Sequence, residues 1–150
     1  MKKNIVGVIG GHKCTTEVEQ LAQELGKKLA KVADVLITGG LSGIMEAACE
    51  GFKAGNGFLT IGVLPGYKKS DANKSIDIAL PTGLGLARNV LVVKGADVVV
   101  ALPGESGTLS EIAYCLQFGI PVISFNSWDI PGVIKANSIE EAIERVREKL

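Results

Sequence analysis

The sequence predicts a single doubly wound α/β domain over residues 1–150, with a mostly parallel sheet and helices on both faces. Short, continuously apolar runs alternate with stretches of helical spacing, which is typical of a parallel sheet covered on both sides. A length of 150 residues, with 47% hydrophobic and 21% charged residues, fits one globular domain. We find no internal repeat and no long linker that would divide the chain.

Six runs rich in aliphatic and β-branched residues are predicted strands, each ended by glycine, proline or a polar residue. In chain order they are residues 4–9, 34–38, 59–64, 76–80, 97–102 and 121–125. Helical spacing predicts five helices, at about residues 16–32, 42–54, 87–94, 106–118 and 138–150. The first and last begin with the capping boxes Thr16-x-x-Glu19 and Ser138-x-x-Glu141. The polar segment 67–77 is predicted to be a mobile loop.

Charge and cysteine content exclude several classes of protein. Sixteen basic and sixteen acidic residues give zero net charge, which removes the electrostatic basis for binding nucleic acid or an anionic membrane surface. Cys14, Cys49 and Cys115 lie far apart and His12 is the single histidine, so neither a zinc site nor a disulfide framework is predicted. No apolar run approaches the ~18 residues of a membrane span. We therefore expect a cytoplasmic protein without a bound metal.

The 19 glycines concentrate where predicted strands give way to helices. The three clusters are Gly10-Gly11, Gly39-Gly40-x-x-Gly43 and the segment 104–107. Ligands of doubly wound folds bind at the carboxyl ends of the strands, and helix N-termini there attract phosphate. Neither G-x-G-x-x-G nor G-x-x-x-x-G-K-[ST] occurs, so the site is not of the usual dinucleotide or P-loop kind. The pattern predicts a phosphorylated ligand.

The segment from Pro103 to Glu111 carries the most chemistry. If a helix begins near Ser106, then Gly107 and Thr108 present free amides and a hydroxyl at its positive end. Glu111 follows one turn later on the same face, where it could activate water or stabilise an oxocarbenium-like transition state beside a bound phosphate. The alternative is that Glu111 only completes a capping box with Thr108. Spacing alone does not decide between these readings.

Arg88 is the second candidate, because it follows a glycine-rich turn and opens an otherwise apolar helix. A guanidinium there could clamp phosphate or orient Glu111, and the alternative is a solvated arginine in a first turn. His12 beside Gly11 could touch a ligand or be solvated.

Four segments resemble motifs of the LOG ("lonely guy") superfamily, a group once labelled as lysine decarboxylases. They are residues 38–47 (TGGLSGIMEA), 62–66 (GVLPG), 87–89 (ARN) and 103–111 (PGESGTLSE). The resemblance implies a Rossmann-like nucleotide-binding domain that self-associates. In the cytokinin-activating members it also implies hydrolysis of a nucleoside 5′-monophosphate to free base and ribose 5-phosphate. The catalytic positions then fall on Arg88 and Glu111.

The chain looks most similar to the small bacterial and archaeal branch that includes molybdenum-cofactor carrier proteins. That branch implies a nucleotide or pterin-type phospholigand, held by a carrier or sensor that requires no further cofactor. The residues expected to bind it are Gly10, Gly11, Gly39, Gly40, Gly43, Met45, Gly104, Ser106, Gly107 and Thr108.

Two departures from the LOG pattern separate the carrier from the enzyme. Glu105 replaces the second glycine of P-G-G, and Leu86-Ala87-Arg88-Asn89 lacks the histidine and lysine that flank the arginine in the cytokinin enzymes. Both departures weaken the case for the hydrolase more than the case for ligand binding. No lysine lies in a pyridoxal-phosphate context, so a lysine decarboxylase is not predicted. A homo-oligomer, a dimer or larger, is expected through apolar helices such as residues 113–118.

Overall fold

A computed structural model describes residues 2–150; Met1, the first residue of the predicted domain, lies outside the described residues. Its sheet has seven strands, all parallel, where the sequence predicted a mostly parallel sheet. The strands are β1 (Ile5–Ile9), β2 (Val35–Thr38), β3 (Leu59–Leu64), β4 (Ile78–Pro81), β5 (Val98–Ala101), β6 (Val122–Phe125) and β7 (Ile134–Ala136). The helices are α1 (Thr16–Leu29), α2 (Ile44–Ala54), α3 (Asn89–Lys94), α4 (Ser106–Phe118) and α5 (Ile139–Lys149).

The strand order is β4-β3-β2-β1-β5-β6-β7, so the chain winds outward from β1 in one direction and then in the other. The point of reversal lies between β1 and β5, which are paired from Val6 with Val98 to Ile9 with Ala101. Connections leave these two strands on opposite sides, which opens a crevice beyond their carboxyl ends. The expected doubly wound architecture is confirmed, and it places a crevice at this point, where ligands of such folds commonly bind.

Two apolar cores cover the sheet. Alternate residues of β1 and β5, such as Val8 and Val100, pack with α1, α2 and α5 on one face. Their neighbours Ile9 and Val99 pack with α3 and α4 on the other face. This alternation follows from the two-residue repeat of a strand and explains why the central strands are apolar at every position.

Three local predictions are corrected by the structure. The N-cap of α1 is Thr15, whose Oγ1 accepts a hydrogen bond from the Val18 amide, so Thr16 is the first helical residue and not the cap. The strand β7 was not predicted, because its three residues are too few to show the alternating or continuous apolar pattern of a strand. The segment 67–77, predicted to be a mobile loop, contains a 3-10 turn (Lys69–Asp71) and is held at Asn73. There the Asn73 amide and side chain donate to Gly40 O and Leu41 O.

Three further features of the sequence can be compared with the structure: the cap of the last helix, the cysteines and the length of the apolar helices. Ser138 caps α5 as predicted, with its Oγ accepting from the Glu141 amide. All three cysteines are free. Within residues 2–150, no helix combines the length and apolar character needed to cross a membrane.

Candidate functional site

A cavity of about 510 Å³ opens beyond the carboxyl ends of β1, β2, β3 and β5. Ten of the twelve residues predicted for the site contribute to its wall. They are Gly10, Gly11, Gly39, Met45, Arg88, Gly104, Ser106, Gly107, Thr108 and Glu111. The sequence therefore anticipated most of one contiguous surface, assembled from turns that are far apart along the chain.

Gly40 and Gly43 belong to the same turn but do not line the cavity. Both have positive φ, +77° and +70°, which favours glycine. A Cβ on Gly43 would lie 2.5 Å from His12 O, so this glycine lets the turns after β1 and β2 pack against each other. Both glycines shape the turn behind the cavity wall.

The N-terminus of α4 forms one end of the cavity. The first helical hydrogen bond within this turn is donated by Leu109 to Glu105 O, which leaves the amides of Ser106, Gly107 and Thr108 without a helical partner. A Cβ built on Gly107 has no atom within 4 Å, because this position faces open space. Three free amides at the positive end of a helix dipole form a site suited to an anion.

Gly104 allows this helix end to approach β1. Its Cβ would lie 2.0 Å from Thr108 Oγ1 and 3.0 Å from the Gly11 amide, and the chain is locked there by a hydrogen bond from Gly11 N to Pro103 O. Thr108 is 3% exposed at this contact. No larger residue could stand at position 104 without moving the helix away from the strand.

Glu105, which replaces a glycine of the LOG pattern, adopts a negative φ of −101°. This φ lies outside the left-handed region, so the substitution causes no left-handed strain. The side chain is exposed and lies at the rim of the cavity. Its effect on the site is the negative charge it places there.

Arg88 lies deep in the opposite wall, where it is 6% exposed. Its Nε donates to Val63 O at 2.8 Å, its Nη2 to Gly39 O at 3.4 Å, and its Nη1 to the Asn89 side chain. Three of the five guanidinium N–H donors are thereby occupied, which leaves two for a ligand. The alternative of a solvated arginine is wrong, since the group is buried and anchored to the ends of β2 and β3.

The lack of a side chain at Gly39 makes room for this guanidinium. A Cβ there would lie 2.6 Å from Arg88 Nη2 and 2.7 Å from Met45 Sδ. Burial lowers the pKa of Arg88, and the charge of Glu111 acts in the opposite direction. Arginine remains charged in proteins, so the cavity wall carries a fixed buried cation.

Glu111 faces the cavity from α4 and is 7% exposed. Because α4 begins at Ser106 with Glu105 as its N-cap, Thr108 is not a cap and the capping-box alternative is wrong. Burial raises the pKa of Glu111 to about 8, although the positive charge of Arg88 opposes this rise. At neutral pH the carboxyl is consequently protonated, and it can donate a hydrogen bond to a ligand.

Asn89 is a site residue that sequence reasoning passed over. It is 3% exposed, accepts from Arg88, and donates through Nδ2 to Ser110 Oγ at 3.2 Å. Ser110 Oγ in turn donates to Gly107 O at 2.6 Å, so Asn89 connects the arginine to the first turn of α4. The pairing of an arginine with an adjacent asparagine was the available signal.

Basic residues also lie near the β1 turn. His12 and Lys13 both contribute to the cavity wall and are exposed, so His12 is solvated in the free protein and lies where a ligand could touch it. With Arg88 they share the cavity wall with the carboxylate of Glu105 and the protonated carboxyl of Glu111, so the site carries charges of both signs. Among residues 2–150, no three His, Cys, Asp or Glu side chains are grouped so that they could hold a metal ion.

A family model described as the SLOG cluster4 family matches residues 3–149. An uncharacterised protein of Archaeoglobus fulgidus is 39% identical over 144 residues, which cover 96% of this chain and 92% of that protein. A rice protein (Oryza sativa subsp. japonica), "Probable cytokinin riboside 5'-monophosphate phosphoribohydrolase LOGL9", is 34% identical over 105 residues. That match covers 66% of this chain and 46% of the rice protein.

Two solved structures are similar over almost the whole chain. The molybdenum cofactor binding protein of Rippkaea orientalis has a TM-score of 0.90 and 38% identity, with 99% of this chain and 98% of that chain covered. The molybdenum cofactor carrier protein of Chlamydomonas reinhardtii has a TM-score of 0.88 and 32% identity, with 98% of both chains covered. The resemblance to the LOG superfamily and to its carrier-like branch is thus confirmed at the level of family and fold.

Proposed function

This chain belongs to the SLOG cluster4 family, and from that membership we propose that it binds a phosphorylated nucleotide or pterin-type ligand as a carrier or sensor. The observation that carries the proposal is the cavity itself, in which three free amides of α4 and the buried cation Arg88 face the same space. The likeness to proteins named for binding or carrying the molybdenum cofactor supports a pterin-type ligand.

The chemistry of the wall fits such a ligand. The amides of Ser106, Gly107 and Thr108 would hold the phosphate, and Arg88 would use its two remaining N–H donors on the same group or on a neighbouring oxygen. The protonated Glu111 would donate to an oxygen of the sugar or pterin part. If the ligand carries a metal, the protein would transport the whole molecule. The residues named above would bind its organic part, and none of them would coordinate the metal.

The second candidate is hydrolysis of a nucleoside 5′-monophosphate to free base and ribose 5-phosphate. It is supported by the position of Glu111 one turn below Thr108 in the cavity wall. The 34% sequence identity, over 105 residues, to the probable phosphoribohydrolase of rice also supports it. In this reaction Glu111 and Arg88 would be the catalytic pair. A carboxyl whose pKa is about 8 is protonated at neutral pH, which disfavours it as a base and weighs toward the carrier.

Replacing Gly107 with alanine tests where the phosphate binds. The new methyl group meets no protein atom, so we expect the fold to be kept and α4 to gain up to about 1 kcal/mol from helix propensity. The same methyl group occupies space beside the free amides, and we expect at least a tenfold loss of affinity for GMP and AMP. Isothermal titration calorimetry and thermal unfolding measure the two effects.

Gln117→Ala, at an exposed position near the other end of α4, is the control and should leave affinity unchanged. Native mass spectrometry of the purified wild type would identify a ligand retained from the cell, and chromatography would detect free base after incubation with GMP or AMP. Binding without base release supports the carrier, and release makes the chain a hydrolase. A protein that retains no ligand and binds neither nucleotide would contradict both functions.

We also propose that the chain self-associates through α3 and α4, in a reducing compartment such as the cytoplasm where its three free cysteines persist. Leu91 on α3 and Phe118 on α4 are 43% and 40% exposed on this face.

We expect size-exclusion chromatography with light scattering to give the wild type a molar mass of at least twice 15.7 kDa. The double variant Leu91→Glu, Phe118→Glu should have the monomer mass of 15.7 kDa. Phe58→Glu, which changes an exposed aromatic residue immediately before β3, is the control. A wild type that elutes as a 15.7 kDa monomer would rule the interface out.

A further inference from the structure

A second, shallow cavity of about 320 Å³ adjoins the first beyond the ends of β5 and β6. It is lined by Pro103, Gly104, Asn126, Ser127, Trp128 and Asp129. Gly104 lies in the walls of both cavities. The free amides of α4, which follow Gly104 directly, therefore lie at the border between the two.

Trp128 connects this second cavity to the N-terminus of α4, the end of the first cavity where the phosphate would bind. Its indole Nε1 donates to Glu105 O at 3.3 Å, and Ser124 Oγ donates to Trp128 O at 2.7 Å. The backbone of the tryptophan is thus held by β6, and its ring is held by the N-cap of α4. The side chain is nevertheless 38% exposed, which leaves aromatic surface available for stacking.

The polar groups of this cavity have hydrogen-bonding capacity that the fold does not use. Ser127 Oγ is the single buried side-chain oxygen or nitrogen in residues 2–150 without a hydrogen-bond partner. Asp129 Oδ2 accepts from Lys135 Nζ in an exposed ion pair, and its other carboxylate oxygen accepts from no donor among residues 2–150. Exposed ion pairs of this kind contribute little stability, so the carboxylate can turn toward a ligand at small cost.

We propose that the second cavity holds a planar ring with a 2-amino-4-oxopyrimidine edge, the edge shared by guanine and pterin. The ring would stack on Trp128, and its N–H donors would bind the Asp129 carboxylate. The first cavity meanwhile holds the sugar and the other ring. The ligand class is consequently a dinucleotide in which a pyrophosphate crosses the N-terminus of α4 and joins two ring systems. This inference rests on the proposed binding of a phosphorylated ligand in the first cavity.

Trp128 is the only tryptophan of the chain, so its fluorescence reports directly on the second cavity. The probes are GMP, diguanosine pyrophosphate and diadenosine pyrophosphate, titrated against the full chain by fluorescence and by calorimetry. We expect diguanosine pyrophosphate to bind at least tenfold more tightly than GMP and to quench the tryptophan. GMP should quench the tryptophan only at the higher concentrations at which it enters the second cavity, and diadenosine pyrophosphate should gain less affinity because adenine lacks the donor edge.

Asp129→Asn and Trp128→Ala test the two parts of the contact. In both variants the ratio of diguanosine pyrophosphate affinity to GMP affinity should fall from at least ten toward one, whereas Phe58→Ala should keep the ratio of the wild type. Equal affinities in the wild type, or an unchanged ratio in both variants, would overturn the second subsite and leave the first cavity standing. Failure of all three probes to bind would overturn the underlying ligand site instead.

Discussion

Arg88→Met is expected to reduce the affinity for GMP, or for whatever phosphorylated ligand the purified protein retains, by about 100-fold or more. The guanidinium brings two free N–H donors and a full charge to a site shielded from water, where charge-assisted hydrogen bonds are strongest. A loss of this size corresponds to about 2.7 kcal/mol of binding free energy. Calorimetry and native mass spectrometry would give the affinity and the retained occupancy.

The same substitution should lower the free energy of unfolding by about 1–3 kcal/mol, because Val63 O and Gly39 O lose their donor. Arg88→Lys separates the charge from the geometry. Lysine keeps the cation, but a single ammonium cannot reproduce the planar bridge to Val63 O, Asn89 and a ligand. We expect an intermediate affinity for this variant. Wild-type affinity in a folded Arg88→Met protein would show that the arginine has only a structural role.

The core of the fold was predictable because it depends on local patterns. The strand β3 has the bounds predicted from its apolar run between Gly57 and Pro65-Gly66. The helix α4 begins at Ser106 as expected, since Pro103 and Gly104 stop the preceding strand. The cap of α1 was less accessible, because Thr15 and Thr16 are neighbours and either could serve. The folded structure identifies Thr15 as the cap, because its backbone is extended and its side chain accepts from the Val18 amide.

The sequence predicted most of the residues that line the cavity. It did not predict how deeply they are buried, which partners they bind or how they are protonated. The position of Arg88 depends on the missing side chain of Gly39, a residue 49 positions earlier, and no local pattern carries that contact. Asn89 could not be separated from a surface asparagine until its two partners were placed. The protonation of Glu111 likewise arises from burial, which depends on how α4 packs against the sheet. Such properties come from contacts between distant segments.

Glu111→Gln is expected to abolish a pH dependence of stability that the wild type carries. The folded protein holds a proton on Glu111 up to a pH of about 8, its pKa there, whereas the unfolded chain releases it near the ordinary pKa of a glutamate, 4.5. Between these values the unfolded state binds fewer protons, so this carboxyl lowers the free energy of unfolding as pH rises. The slope approaches about 1.4 kcal/mol per pH unit and ends above pH 8. Denaturant unfolding from pH 5 to 9 would measure it as the difference between wild type and variant.

Ligand binding should carry the same signature above pH 8. A protonated Glu111 does not repel phosphate, but the ionised carboxylate does, so we expect the affinity of the wild type for AMP, whose base does not titrate in this range, to fall between pH 7.5 and 9.5. Glu111→Gln should stay flat over this range, in which the phosphate remains dianionic. The charged groups that act on Glu111 do not change there, since Arg88 stays protonated and burial raises the pKa of Cys115 to about 12.

The direction of the pH effect separates the two candidate functions. In a hydrolase Glu111 would act as the ionised carboxylate, so base release should rise with pH through about 8 and be lost in Glu111→Gln. In a carrier the neutral carboxyl is the binding form, and glutamine, which also donates a hydrogen bond, should bind GMP as well as the wild type does at pH 7. An affinity that is independent of pH in both proteins would contradict a buried, protonated Glu111 beside the ligand.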